Sequence, residues 1–426
     1  MPEDQNSIKE EVNHLYRHEY GKLVSVLTKT FGVSNIELAE DVVHDAMLEA
    51  IQQWTYKGVP ENPLGWIYKV AKYKAVNLIK RDKYKRDYNS EVAHYLQSEW
   101  TAEPAIDHIF TDKEIADDQL RMMFTCCHPV VSTDSQIALT LKTLCGFSIP
   151  EIARAFLTTE ENINKRLVRA RKTIRTANVT FEVPIGKDLE PRLNSILETI
   201  YLLFNEGYSA STGDTIVRYE LCEEAIRLTE IIASNPSVSN SSSVYALLAL
   251  MSLNASRFKS RIDESDNIID LAHQDRSKWD SLLIQKGLNY LEFATHQNEI
   301  SIYHILATIS AHHCTSKNFD STDWESILAL YNHLIELDKS PIVLLNRALV
   351  VYKTSNAKNG LAALDQIKDQ STLLTYLPYY TTKAELYFKN GETEKAKLLL
   401  IDALKLPMQE KIKSLINSKI SEYSKK

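Results

Sequence analysis

"GFSIPEIARAFLTTEENINKRLVRARKTIR", Gly146 to Arg175, holds the helix whose reading decides the fold. Its second half repeats Ile163, Leu167, Ala170 and Ile174 at helical period, with Lys165, Arg169 and Lys172 on the opposite side. Thr159 stands where a short hydroxyl caps the orphan amides of a helix start. Upstream, Ser148 precedes Glu151 at the spacing of a capping box, and Ile152, Ala153 and Phe156 face inward. "STDSQIALTLKTLCG" repeats the device with Thr133 and Gln136, continues through Ile137, Leu141 and Leu144, and ends at Gly146, which suits a C-terminal cap. Three short helices, the last apolar on one face and cationic on the other, predict a helix-turn-helix with a recognition helix. An arginine-rich face is commonly just a solvated surface. Here the short preceding helix and tight turn favour DNA, with Asn162, Lys165, Arg166 and Arg169 in the turns that reach bases and phosphates.

Immediately before this unit, "FTCCHPVVS" sets Cys126, Cys127 and His128 beside Pro129. Zinc sites use four ligands, often as C-x-x-C or H-x-x-x-H, and adjacent cysteines do not give that spacing. The stretch reads as a turn with the thiols as compact apolar filler. No metal, cofactor or catalytic residue is expected, because no general base or oxyanion site accompanies the cluster.

Further upstream, "SNIELAEDVVHDAMLEAI" opens with Ser34 and Glu37 at capping-box spacing and carries a narrow apolar stripe of Ala39, Val43, Ala46 and Ala50. Glu37, Asp41 and Asp45 recur every four residues, with Glu40, Val42, His44 and Glu49 alongside. Acids at that spacing repel one another in an isolated helix. They form either a solvated face or a docking face for a basic protein surface. The next segment, "NPLGWIYKVAKYKAVNLIKRDKYKR", buries Ile67, Ala71, Ala75 and Leu78, and Trp66 is expected in the core. From Lys69 to Arg86 it has eight basic residues against one acidic, interleaved with aromatics. Lys69, Lys72, Tyr73, Lys80, Arg81 and Lys83 suit phosphates and unstacked bases. Residues 160–176 form a second island, with six basic residues against two acidic.

The rest of the chain bounds these readings. At 426 residues and a net charge of −7, it is too acidic overall to coat nucleic acid by bulk attraction, so the two islands must act locally. Scarce glycine and proline and few alternating β-branched runs predict an all-α protein. Five cysteines without framework spacing fit a reducing cytoplasm. No leader and no run near ~20 apolar residues is present, so no membrane association is expected. The domains read as 1–88, an acidic linker 89–118, a helix-turn-helix unit 119–180, and a helical C-terminal domain 187–426. Near the end, Ala384, Tyr387, Gly391, Ala396, Ala403 and Leu406 resemble a tetratricopeptide helix pair. "QDRSKWD" is a candidate partner or ligand contact through Gln274, Asp275, Arg276 and Trp279, weighed against a loop-to-helix junction with buried ion pairs.

"AEDVVHDAMLEAI", "NPLGWIYKVAKYKAVNLIKR" and "GFSIPEIARAFLTTEENINKRLVRARKTIR" together resemble bacterial sigma factors of the extracytoplasmic-function group. The first two are similar to sigma region 2 and the third to region 4. "LRMMFTCCHPVVSTDSQIALTL" with the long helical tail resembles a subgroup with a C-terminal tetratricopeptide-like extension. The resemblance implies that Glu37, Glu40, Asp41, Val42, His44, Asp45 and Glu49 belong to a core RNA polymerase surface gripping the clamp coiled coil, with region 4 meeting the flap. It implies that Lys69, Lys72, Tyr73, Lys80, Arg81 and Lys83 serve the promoter −10 element. Thr159, Asn162, Lys165, Arg166, Arg169 and Lys172 serve the −35 element. His44, Tyr73 and Asn77 depart from the group's commoner residues. Elements about 17 base pairs apart lie ~55–60 Å apart on the duplex. A linker of roughly 30 residues extends to ~100 Å at most, so it spans them without tension. The C-terminal domain is expected to regulate exposure or to bind a partner or ligand. The alternative is a stand-alone helix-turn-helix regulator on a helical scaffold, which needs neither the acidic helix nor the first basic island.

Overall fold

The computed structural model of the chain describes residues 2–81, 112–156, 158–208, 217–236, 238, 241–263, 268–296, 299–367, 373–406, 408 and 410–424. Among these the fold is all-α, and the only extended pairing is an isolated bridge between Ile262 and Ile268. The chain divides into two compact units, Met1–Gly207 with Tyr219–Ser237, and Tyr208–Arg218 with Val238–Lys426.

The first unit is built on α1 (Pro2–Phe31), which packs on α2 (Ile36–Lys57), α3 (Pro63–Arg81) and α4 (Asp112–Cys126). The stripe of Ala39, Val43, Ala46 and Ala50 is fully buried on α2, and Ile67, Ala71 and Ala75 are buried on α3. Trp54, not Trp66, is the buried indole: it is 2% exposed and meets a half-buried Trp66 edge-on. The acidic linker also ends earlier than its charge implies. Asp118 lies inside α4 with a fully buried side chain, paired with Lys29 at 3.3 Å and with Arg121. Burial pushes its carboxyl up to about 6 despite the two cations.

Three helices follow: α5 (Thr133–Thr143), α6 (Ile149–Ala155) and α7 (Glu160–Thr176). Ile163, Leu167, Ala170 and Ile174 are all buried, each worth roughly 1.5–3 kcal/mol for the larger side chains. Two caps form as the spacing implies. Thr159 accepts from the Asn162 amide at 3.2 Å, and Ser148 and Glu151 bond reciprocally. Two do not. Ser132, not Thr133, precedes α5, and the Gln136 amide instead staples the preceding turn through the carbonyls of His128 and Val131. At α2 a 3-10 turn over Val33–Asn35 replaces the Ser34–Glu37 box.

Two further helices belong to this unit, although the sequence reading assigns them to the C-terminal domain: α8 (Leu189–Tyr208) and α9 (Tyr219–Ser234). Arg192 on α8 donates to the Phe124 carbonyl and stacks on its ring. Arg227 on α9 clasps Glu224 and reaches the Gln119 side chain at 3.1 Å. These are contacts between segments 68 and 108 residues apart, which helical periodicity does not encode.

The second unit begins with α10 (Ser242–Ala255), buried on nearly every side. It packs on α11 (Ser281–Ala294) and α12 (Ile302–Thr315). From α12 onward each helix packs on the next: α13 (Trp324–Leu337), α14 (Pro341–Thr354), α15 (Ala357–Asp365), α16 (Leu377–Lys389), α17 (Thr393–Ala403) and α18 (Glu410–Ser424). Ala384, Ala396 and Ala403 are fully buried, so small residues sit where neighbouring helices approach closely.

Candidate nucleic-acid interface

With its apolar stripe buried, α7 presents Asn162, Lys165, Arg169 and Lys172 to solvent, with Thr159 exposed at its cap. Lys165 pairs with Glu161 one turn away at 2.7 Å, an exposed i, i+4 pair of a few tenths of a kcal/mol that a phosphate easily displaces. Arg166 is half-buried over the Phe156 ring and 3.5 Å from Asp134. A groove of about 250 Å³ opens beside it, lined by Ser132, Ser135, Arg169 and Thr173 among others.

On α3, Lys69, Tyr73 and Asn77 form one exposed stripe four residues apart. Lys72 is half-buried beside it, and Lys74 is paired with Glu49 at 2.8 Å. Lys80 and Arg81 fall in the last turn of α3 but their side chains, like the whole of Lys83, lie outside the described residues.

The acidic helix α2 is not uniformly free. Asp41 and Asp45 are exposed, with Leu48 exposed beside them. Val42 is buried in the core and Glu40 is only 5% exposed. Glu40 accepts from Arg171 Nη2 at 2.6 Å and from Thr143 Oγ1 at 3.1 Å. Glu37 accepts from Arg175 Nη2 at 3.2 Å. His44 lies 3.1 Å from the Tyr16 hydroxyl, and burial, with Lys142 nearby, lowers its pKa and keeps it neutral near pH 7. Thus α7 has a second cationic side, Arg171 and Arg175, absent from the sequence reading. Those positions offer the same signal as the solvated cations, so only the fold separates them.

The remaining candidates behave as structural groups. Cys126 and Cys127 are fully buried, and burial pushes the Cys127 thiol up to about 12. That favours the thiol over the thiolate a metal or a nucleophile requires. No group of three or more His, Cys, Asp or Glu among the described residues is placed to hold a metal ion. In the second unit Arg276 stacks on Trp279 and donates to the carbonyls of His313 and Ser316, closing the C-terminal end of α12. Gln274 is buried against Ile269 and Ser260, and Asp275 bonds Ser277 at the surface. Among the described residues the expected buried ion pairs do not form there. Carbonyls and aromatic faces, not carboxylates, receive the guanidinium.

Residues 15–85 match the model of sigma-70 region 2, and residues 121–174 match that of sigma-70 region 4. Residues 192–295 match a family of unknown function, DUF6596. The chain is 31% identical over 376 residues to the uncharacterized protein R00370 of Rhizobium meliloti (strain 1021), covering 87% of this chain and 86% of that one. No solved structure matches. No helix among the described residues is long and apolar enough to cross a membrane. The two sigma-70 regions stand here in order on one all-α chain. On that ground the chain belongs to the sigma-70 family of transcription initiation factors.

Proposed function

We propose that this protein is a sigma factor of the extracytoplasmic-function group that binds core RNA polymerase and directs promoter-specific initiation. Its C-terminal part, with tetratricopeptide-like helix pairs, regulates that activity. The observation that carries the reading is the pair of exposed surfaces on separate helices. The Lys69–Tyr73–Asn77 stripe of α3 mixes cation, aromatic and amide groups, as unstacked bases demand. The Asn162–Lys165–Arg169–Lys172 face of α7 has the amides and cations that a major groove demands. A simple operator binder needs only the second.

Lys69, Lys72, Tyr73, Lys80, Arg81 and Lys83 are assigned to the −10 element. Thr159, Asn162, Lys165, Arg166, Arg169 and Lys172 are assigned to the −35 element. Exposed Asp41 and Asp45, with Glu37, Glu40, Val42, His44 and Glu49 on the same helix, are assigned to the polymerase clamp. The test is transcription in vitro with purified core polymerase on promoter-containing templates. Discrete transcripts that depend on the added chain support the proposal. Transcripts identical to those of core polymerase alone refute it.

A further inference from the structure

The second unit buries cations without burying acids to balance them. Arg257, just beyond α10, is 8% exposed, and its Nη2 donates to the Asn254 side-chain oxygen. Arg276 is half-buried, and its Nη1 donates to the carbonyls of His313 and Ser316 at 2.6 and 2.8 Å. Both guanidinium carbons lie against one buried indole, that of Trp279, at 6.0 and 4.5 Å from the ring centre. Among the described residues neither arginine forms an ion pair. Burial, and then Arg257 and Arg276, push the His313 imidazole down to about 3, so it is neutral near pH 7 and no carboxylate offsets the two cations there. Four polar atoms of this cluster are buried without a hydrogen-bond partner: Arg257 Nε, Arg276 Nη2, Trp279 Nε1 and His313 Nδ1. The first three are N–H donors, and the imidazole nitrogen donates or accepts according to its tautomer.

We infer that Arg257, Arg276 and Trp279 form an oxyanion site in the second unit that takes the phosphoryl group of a small molecule. Native proteins leave few buried donors unsatisfied, and a cluster of them calls for ordered water or an ion. Water would satisfy the donors but leave two guanidinium charges uncompensated, and buried charges are paired as a rule. An anion does both. The counts of charge and of donors then select its class. A phosphate monoester carries ~−1.5 to −2 at pH 7, which balances two guanidiniums, and its three acceptor oxygens match three free N–H groups. A carboxylate neutralises one cation and offers two oxygens. Half-buried Arg276 and His313 give the cluster its access to solvent. The inference deepens the proposed regulatory role of the C-terminal part by naming a ligand class. Binding is read without polymerase, so the site and the sigma function fail separately.

The experiment titrates the full-length chain with inorganic phosphate, glycerol 3-phosphate and acetate by isothermal titration calorimetry, in chloride buffer at fixed ionic strength near neutral pH. Three variants accompany the wild type. Trp279→Phe removes one donor and keeps an aromatic ring, and Arg257→Gln removes one charge. K165A/R166A/R169A clears the exposed cations of α7, which also attract phosphate. Circular dichroism checks that each variant is folded. The wild-type and α7 titrations need no substitution in the site, so a misfolded variant does not shelter the inference.

One-to-one binding of a phosphoryl probe is expected. Trp279→Phe should weaken it by ~10-fold or more, as loss of a hydrogen bond to a charged group does. Arg257→Gln should abolish it, and the α7 variant should leave it unchanged. Tighter binding of glycerol 3-phosphate than of inorganic phosphate would support the site and assign the phosphoryl group to a larger molecule; the reverse order would support it with the free ion as ligand. Preference for acetate overturns the phosphoryl class. Binding that is lost in the α7 variant, or that survives both Trp279→Phe and Arg257→Gln, lies elsewhere and overturns the site. Absence of phosphoryl binding by the folded wild type overturns it as well, leaving water as the partner of these donors.

Discussion

On one side of α7, Asn162, Lys165, Arg169 and Lys172 stand in solvent; on the other, Arg171 and Arg175 reach acids 131 and 138 residues upstream. Both sets lie on one amphipathic helix of 17 residues, and, Asn162 apart, both consist of long cationic side chains. What distinguishes them is the angle around the helix axis. Residues 165, 169 and 172 follow the i, i+4, i+7 line away from the buried stripe. Residues 171 and 175 follow another line, which meets α2. Charge type alone does not specify a role; rotational position relative to the packed face does. The exposed set can meet phosphates at the cost of no more than a solvated pair such as Lys165–Glu161, whereas Arg171 cannot leave without stranding the buried Glu40 carboxylate.

Removing charge from the exposed side should have the largest effect. K165A/R166A/R169A is expected to lower −35-dependent transcription in vitro by at least ~100-fold with helical content unchanged, since each base or phosphate contact contributes ~1–3 kcal/mol. Survival of promoter use would break the contrast between the two sides.

Truncation sharpens the comparison from the packing side. Helices α8 and α9 belong to the first unit, so a chain ending at residue 180 loses Arg192 and Arg227 and bares the surface around Phe124. Its thermal midpoint is expected to fall below that of a chain ending at residue 237 by at least ~5 °C, or ~1.3–2.5 kcal/mol for a unit of this size. Equal midpoints would show that the two helices contribute nothing to the unit.

Asp41 and Asp45 are exposed on α2, as is Glu37, which accepts from Arg175. D41K/D45K is expected to weaken core polymerase binding by ~10-fold or more, measured by titration of labelled chain, because like charges meet where opposite ones fit. Unchanged binding would remove both from the clamp surface.

The smallest effect concerns pH. Burial alone pushes the Glu151 carboxyl up, but Arg17 and the Ser148 hydroxyl and amide more than offset this and hold it down at about 2. A carboxyl depressed on folding adds stability above its ordinary pKa, near 4.5, and loses that contribution as pH falls toward 2. Discounted for partial exposure, the contribution is ~1–2 kcal/mol. E151Q should therefore unfold more easily than wild type at pH 7, with the gap closing toward pH 3 in denaturant titrations. A gap independent of pH would assign the loss to packing, not to charge.

Much of this architecture was legible from local pattern. The stripe Ile163–Leu167–Ala170–Ile174, the narrow alanine face of α2 and the caps at Ser148 and Thr159 depend on neighbours within a few turns, and sequence spacing reports such neighbours directly. What was not legible depends on distant partners. Glu40 and Asp41 are adjacent acids of the same helix, yet one is buried under Arg171 and the other is exposed. Trp66, expected in the core, is only half-buried, and it meets edge-on the buried Trp54 of the neighbouring helix. The C-terminal boundary was misplaced for the same reason: α8 and α9 read as ordinary amphipathic helices, and only their contacts with α1 and α4 assign them to the first unit.

The central claim is that two cationic helices of one chain read two promoter elements when polymerase holds them apart. Hydroxyl-radical footprinting of the reconstituted holoenzyme on a responsive promoter tests it most directly. Two protected blocks are expected about 17 base pairs apart, ~55–60 Å of duplex, with K165A/R166A/R169A erasing the upstream block and sparing the downstream one on templates that retain binding. A single block, protected by the chain alone and indifferent to polymerase, would contradict the account and favour a stand-alone operator binder.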